Sequence, residues 1–413
     1  MTETGTVAFD LNDPDVIADP YPHYARLREH ASVHHSTAPD LWLLSRYDDV
    51  VLALRDATRF SSDPGTGGDF ADNPFNPSTS LPGWATRLID RVLPTRTLLT
   101  SDPPEHTRLR KKVSRAFAPR RIAQWEPRIR EITESLMDEL ADRAARGESV
   151  DLVRDFASPL PTIVIAELMG IPAARRDDFK RWSDHLIDGL LTGGDTRRMA
   201  TSAAAISLFF ARTVRQRRRH PGEDLVSLLV TPDADGVLGT MDLIVFCVLL
   251  LVAGNETTTN LVSNAVHALL DRPAVWQQLI AEPGLAAAAV EETLRYDSPG
   301  QGLLRCTTTE VRLHEVVIPA GARVLPLVGS ANRDPGRWDA PDEFRLDRNS
   351  NDHIAFGVGI HYCIGNALAR MEARAALETL ARRAPALSRA GHPIRIPSPV
   401  LRGFRSLPIR IEP

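Results

Sequence analysis

Lysine is almost missing from this chain. It stands only at positions 111, 112 and 180, so 46 of the 49 basic residues are arginine. With abundant alanine, that skew matches the composition of a GC-rich bacterial genome. The net charge is −4, whereas a general nucleic-acid binder needs a clear positive excess. Cysteine is scarce too, occurring only as Cys247, Cys306 and Cys363. An odd count without paired spacing argues against a disulfide framework, and the lack of C-x-x-C argues against a zinc site. Cys247 in an apolar run and Cys306 at a strand start read as packed thiols. The longest hydrophobic run, residues 243–253, is too short to cross a bilayer. Residues 1–20 are polar and acidic, unlike a signal or transit peptide. These absences lead to the expectation of a cytoplasmic protein with no membrane or nucleic-acid partner.

What is present is ordinary for a folded protein, with 43% hydrophobic and 25% charged residues. No repeat, low-complexity linker or composition break divides the chain. Helical patterns fill the middle at 122–145, 179–191, 197–219 and 240–270. Strand-like segments gather near the ends, at 42–45, 311–318, 323–328 and 407–411. The expected fold class is mainly α with a small β-rich lobe, one domain over residues 1–413. Residues 62–94 form a long loop with five prolines and a Gly65-Thr66-Gly67-Gly68 cluster. It lacks phosphate-loop spacing and reads as a cover or a disordered segment. A second Gly-rich turn, 191–195, joins two amphipathic helices.

Chemistry concentrates in two places. From Phe356 the chain reads F-G-V-G-I-H-Y-C-I-G, setting Cys363 in a glycine-rich loop just before helix formers that start at Asn366. A helix N-terminus favours a thiolate, so a depressed thiol pKa is expected. Glycines such as Gly357 and Gly365 let backbone approach a flat ligand and aim N–H groups at the sulfur. The second place is the centre of the pattern from Thr240, expected as an N-cap, to about Leu270. Some thirty residues at about 1.5 Å each make an element on the order of 45 Å long. Inside it, Gly254 and Thr257-Thr258-Thr259 cost roughly 2–3 kcal/mol of helix propensity relative to alanine. Glu256 adds a charge after an apolar stretch, and such local conflict marks function or strain.

The cysteine loop resembles the haem-binding loop of the cytochromes P-450, and Ala253-Gly254-Asn255-Glu256-Thr257 resembles that family's oxygen-activation motif. The likeness extends over essentially the whole chain and is of the bacterial, soluble type. It implies a prism-shaped fold with a long central helix crossing the haem, haem b as cofactor and Cys363 as iron ligand. Ala253 and Gly254 would leave room for dioxygen, and Thr257 with Glu256 would relay protons. Phe356 would shield the thiolate, and His106, Arg110, Arg305 and His361 would meet the haem propionates. Glu292-Thr293-Leu294-Arg295, weak as E-x-x-R alone, sits where the family has a structural pair tied to the segment from Pro341 to Phe344.

The activity so implied is a monooxygenase that hydroxylates or epoxidises a lipophilic small molecule of secondary-metabolite, terpenoid, steroid or fatty-acid type. Electrons would come from a separate ferredoxin and ferredoxin reductase, because no flavin- or nicotinamide-binding segment is recognisable. Lys111, Lys112, Arg115, Arg120 and Arg121 are candidates for an acidic ferredoxin's docking face. Leu249, Val252, Leu303, Leu304 and Phe404 are candidate substrate contacts, and the chain is expected to act as a monomer. Two alternatives stay open, a peroxide-driven peroxygenase and a non-catalytic haem sensor.

Overall fold

Eight of the described helices carry the architecture. They are α1 (Glu105–Ala116), α2 (Glu126–Ala145), α3 (Pro159–Leu168), α4 (Arg176–Leu191), α5 (Thr196–Arg219), α6 (Thr240–Leu270), α7 (Ala286–Tyr296) and α8 (Asn366–Arg383). The computed structural model describes residues 9–37, 39–63, 97–191, 195–232, 237–348 and 352–411. The loop expected at 62–94 and the glycines of the 191–195 turn therefore fall almost wholly outside the described residues.

Local chemistry sets the helix ends. Asp195 caps α5 by accepting the Arg197 and Arg198 N–H groups at 2.9 and 3.3 Å. The helix expected over 122–145 is two helices instead, Pro119–Ala123 and α2. Pro127 has no N–H to give and sits in the first turn of α2, where none is needed. Thr240 is not the N-cap of α6. Gly239 holds that position with extended ψ, and Thr240 is the first helical residue, its Oγ accepting from Arg218. At the far end, Asp271 and Arg272 close the helix before Pro273 starts the next.

By length and composition α6 would cross a bilayer, yet here it runs through the protein core. α3, α4, α5, α7 and α8 all pack against it. Thr257, Thr259 and Ser263 are tolerated because their hydroxyls bond back along the helix. Thr257 donates to the Ala253 carbonyl at 2.7 Å, Thr259 to Asn255 at 3.0 Å and Ser263 to Asn260 at 3.2 Å.

The β lobe is built from distant strands. These are β1 (Val33–Thr37), β2 (Asp40–Leu44), β3 (Phe60–Ser61), β4 (Arg305–Thr307), β5 (Val311–Leu313), β6 (Val316–Ile318) and β7 (Arg323–Pro326). A five-stranded sheet runs β1-β2-β7-β4-β3, parallel only between β2 and β7. The single strand expected over 311–318 is the hairpin β5–β6, turned at His314 with φ 54°. The segment expected as strand to residue 328 leaves the sheet at Pro326 and becomes the short helix Val328–Ala331. A further hairpin, β8 (Ile394–Arg395) with β9 (Phe404–Ser406), lies against α6.

Candidate active site

Cys363 sits in a loop folded by its glycines. Gly357 and Gly359 have φ of 69° and 73°, a region where side-chain-bearing residues are strained. At Gly359 a Cβ would also come within 3.1 Å of the Leu54 carbonyl oxygen. The loop closes when the Cys363 N–H donates to the Phe356 carbonyl at 2.8 Å, and Asn366 Nδ2 then caps the Cys363 carbonyl at 2.7 Å. The sulfur receives backbone N–H groups from Gly365 and Asn366, with the Arg110 and Arg370 guanidiniums nearby. Those groups lower the thiol pKa, but burial outweighs them and the net shift is upward. The expected depression is therefore corrected. The helix N-terminus is there, but a buried thiol needs a stronger cation than the chain supplies to stay ionised. Phe356 lies alongside, covered by the Arg370 guanidinium at 4.5 Å from its ring centroid. Arg370, not anticipated from sequence, is itself held by Glu291 at 2.6 Å.

Four predicted residues converge beside this loop. The rings of His106 and His361 lie 4.3 Å apart. Arg110 donates to the Tyr362 carbonyl at 2.6 Å, and Arg305 donates to the Leu304 carbonyl at 2.8 Å. His361 Nε2 and the Ser62 hydroxyl share a hydrogen bond of 3.0 Å. Both ring nitrogens of buried His106 lack any partner among the described residues. Burial pushes Arg305 down to about 10 and His361 down to about 3, the latter helped by Arg305 and His106. His106 is lowered by burial and then by Arg110. Asp102 is the carboxylate nearest this cluster, and it also accepts the Ser61 hydroxyl and the Ser62 N–H. Two cations and two imidazoles, with His106 and Arg305 buried, suit a ligand carrying two carboxylates. A partly covered sulfur that receives two backbone N–H groups suits a metal. Both features fit haem.

Along α6 one stripe is only partly covered. Leu249, Val252, Ala253, Glu256 and Thr257, at spacings of three and four, are partly or fully exposed, whereas Leu250, Leu251, Asn255 and Thr258 are buried. Leu249, Val252 and Ala253 make its upper part apolar. Gly254 is not in the stripe, because a side chain there would run toward Ile165 Cδ1 at 3.8 Å. Leu303 reaches the cysteine loop, 3.6 Å from where a Gly357 side chain would begin. Leu304 points elsewhere and packs with the N-terminal cluster of Leu11, Tyr24 and Leu41. Phe404 is likewise removed from the site, buried between His267 at 4.6 Å and Arg395 at 3.8 Å. His267 lies ten residues beyond Thr257, about 15 Å along the helix. The two-residue alternation of β9 turns Phe404 toward core, which sequence did not reveal.

Glu292 and Arg295 form a buried bidentate pair, two bonds of 2.8 Å. Arg295 also donates to the Pro341 and Glu343 carbonyls at 2.8 Å and to Asn332 at 3.1 Å. The tie to the segment from Pro341 is as expected. Of the basic residues placed on the docking face, Lys112 is buried, while Lys111, Arg115, Arg120 and Arg121 are exposed. Cys247 and Cys306 are both buried, as expected of packed thiols.

The cytochrome P450 family profile matches residues 209–384. Cytochrome P450 107B1 of Saccharopolyspora erythraea is 40% identical over 98% of this chain and 99% of its own. The chain belongs to the cytochrome P450 family. The P450 monooxygenase PikC of Streptomyces venezuelae is 39% identical over 99% of this chain and 96% of its own. The solved P450 structure of CYP109Q5 from Chondromyces apiculatus superposes with a TM-score of 0.86 at 37% identity, covering 98% of each chain. The fold is thus the P450 fold, the chain is a P450 monooxygenase, and its cofactor is haem b.

Proposed function

We propose that this P450 uses Cys363 as the proximal haem ligand and inserts one atom of dioxygen into a lipophilic small molecule in the bacterial cytoplasm. A separate ferredoxin and ferredoxin reductase would supply two electrons. The observation that carries the reading is the Cys363 sulfur, which receives the Gly365 and Asn366 N–H groups, beside Arg110, Arg305, His361 and a buried His106 whose ring nitrogens have no partner among the described residues. Haem, when bound, supplies the iron on which dioxygen is reduced. The rest is work for this chain's own side chains.

His106, Arg110, Arg305 and His361 would bind and neutralise the propionates, which in turn would stabilise the cations that burial now disfavours. Phe356, with Arg370 over its ring, would help shield the sulfur from water. Thr257 has its hydroxyl proton committed to the Ala253 carbonyl at 2.7 Å, which leaves its oxygen lone pairs to accept a hydrogen bond in the stripe. Glu256, one residue before it, is the proton source and sink. Burial first, and Asp184 after it, raise its pKa, with Asn260 opposing. A carboxyl moved up toward the working pH exchanges protons more readily than an ordinary surface acid. Leu249, Val252, Ala253 and Leu303 offer apolar contact to a substrate. Exposed Lys111, Arg115, Arg120 and Arg121 offer the ferredoxin a basic face.

Turnover with surrogate ferredoxin and reductase under labelled dioxygen tests this reading. It predicts product carrying one labelled oxygen atom, the other leaving as water. Substrate oxidised equally well by peroxide without the partners would favour a peroxygenase. Tight haem and ligand binding without turnover would favour a sensor.

A further inference from the structure

Glu256 is held by one group. Asn260, one helical turn later, donates through Nδ2 to Glu256 Oε1 at 3.3 Å, and no other hydrogen-bond donor or ion pair reaches that carboxyl among the described residues. Asn260 is fully buried, and its Oδ1 has no partner. Behind it runs the β8–β9 hairpin. At Gly403 a Cβ would lie 1.9 Å from Asn260 Oδ1 and 2.2 Å from its Cγ, so only glycine lets the strand pass. The hairpin cannot easily retreat. Asn264, a turn beyond Asn260, donates to the Arg402 carbonyl at 2.9 Å. Arg402 Nε pairs with Asp297 at 2.5 Å, and its N–H reaches the Pro299 carbonyl at 2.8 Å. Arg395 and Arg402 thus direct their charge to Asp297. The charged group that acts on Glu256 from across the fold is Asp184 on α4.

We propose that Asn260, backed by Gly403, is a positioning residue that fixes the Glu256 carboxyl and lets it pass between its charged and neutral forms. The chemistry of the partner is the reason. A lysine or arginine would lock the carboxyl as an anion. An amide donates to a carboxylate through nitrogen and, turned over, accepts from a carboxylic acid through oxygen. It therefore partners both states of an acid that must take up and release a proton in each cycle, and Asn260 Oδ1 is free for the second role. Gly403 confines the amide to that work. Asn260 touches neither substrate nor cofactor, so it acts through Glu256.

This inference rests on the proposed role of Glu256, and its test separates the two. N260L, G403A, E256Q and the double variant E256Q/N260L would be compared as holoenzymes, with the reduced carbon monoxide spectrum as the check on fold and haem. Three quantities are read: product formed per reducing equivalent, the pH profile of turnover, and the Glu256 carboxyl infrared band identified by its loss in E256Q. The bond to the charged form is the stronger of the two, so losing both should still move the band's titration midpoint up, by about one pH unit, in N260L. Product per electron should fall several-fold, with reducing equivalents diverted to peroxide. G403A should do the same by displacing the amide, and N260L should add nothing in the E256Q background. The proposal is overturned if N260L leaves the midpoint and pH profile at wild-type values, or if it causes an equal further loss in E256Q. Normal turnover by E256Q alone would instead overturn the role of Glu256 itself.

Discussion

Glu372 makes a prediction whose direction runs against intuition: removing its charge should stabilise the protein. It sits on α8, 3% exposed, with Oε2 unpartnered, and burial pushes its pKa from 4.5 up to about 8. In the unfolded chain the group ionises near 4.5, while in the folded protein it holds its proton until about pH 8. Between those values the native state binds more protons, so stability falls as pH rises. At pH 7, two and a half units above the unfolded value, the cost is about 3 kcal/mol, at about 1.4 kcal/mol per unit. Glu372→Gln keeps the shape and removes the titration. The urea midpoint of wild type and E372Q should agree near pH 4.5 and separate as pH rises, the variant being more stable by roughly 2–3 kcal/mol at pH 7. Glu291 provides the contrast. There burial, which alone would raise the pKa, is overcome by His353 and Arg370, and the carboxyl is held down to about 2. Its stabilisation is complete above pH 4.5 and is lost as pH falls toward 2. If the E372Q and wild-type curves run parallel from pH 5 to 8, Glu372 has a partner or solvent access that this account denies it.

Arg295→Ala removes the bidentate partner of buried Glu292 and the donor to three backbone carbonyls. Arg345 N–H and Arg348 still reach Glu292, so the loss should be about 4 kcal/mol, read as a fall in urea midpoint together with poor haem retention. A loss under 1 kcal/mol would show that the pair is not structural. Thr257→Ala should retain haem and substrate binding while product formation drops about 10²-fold, with peroxide released instead; unchanged coupling in a turnover assay would remove Thr257 from the proton path. Charge reversal at Arg120 and Arg121 should weaken ferredoxin association about tenfold at low salt and less at high salt. A salt-independent change would place the docking face elsewhere.

Much of this was legible because it was local. The cysteine loop, the glycine- and threonine-bearing centre of α6 and the Glu292–Arg295 pair are short-range patterns whose spacing alone fixes their neighbours. Asn260 was readable in part, standing four residues after Glu256 on a helix. Its second contact was not, because Gly403 arrives from 143 residues away along the chain. The buried group around Asp297, with Tyr21 at 2.8 Å and Arg402 at 2.5 Å, is invisible for the same reason. Phe404 failed as a site residue because an aromatic on a short strand looks the same in sequence whichever face it takes. The Cys363 shift failed on magnitude. Helix-end N–H groups and nearby arginines act in the expected direction, but sequence cannot weigh them against burial.

The absorption spectrum of the reduced protein saturated with carbon monoxide tests the central claim most directly. With Cys363 ligating the haem, the Soret band should be strongly red-shifted, and Cys363→His should move it to the shorter wavelength of a neutral-ligand haem. A folded wild-type protein that shows the short-wavelength band, or binds no haem, would contradict the account.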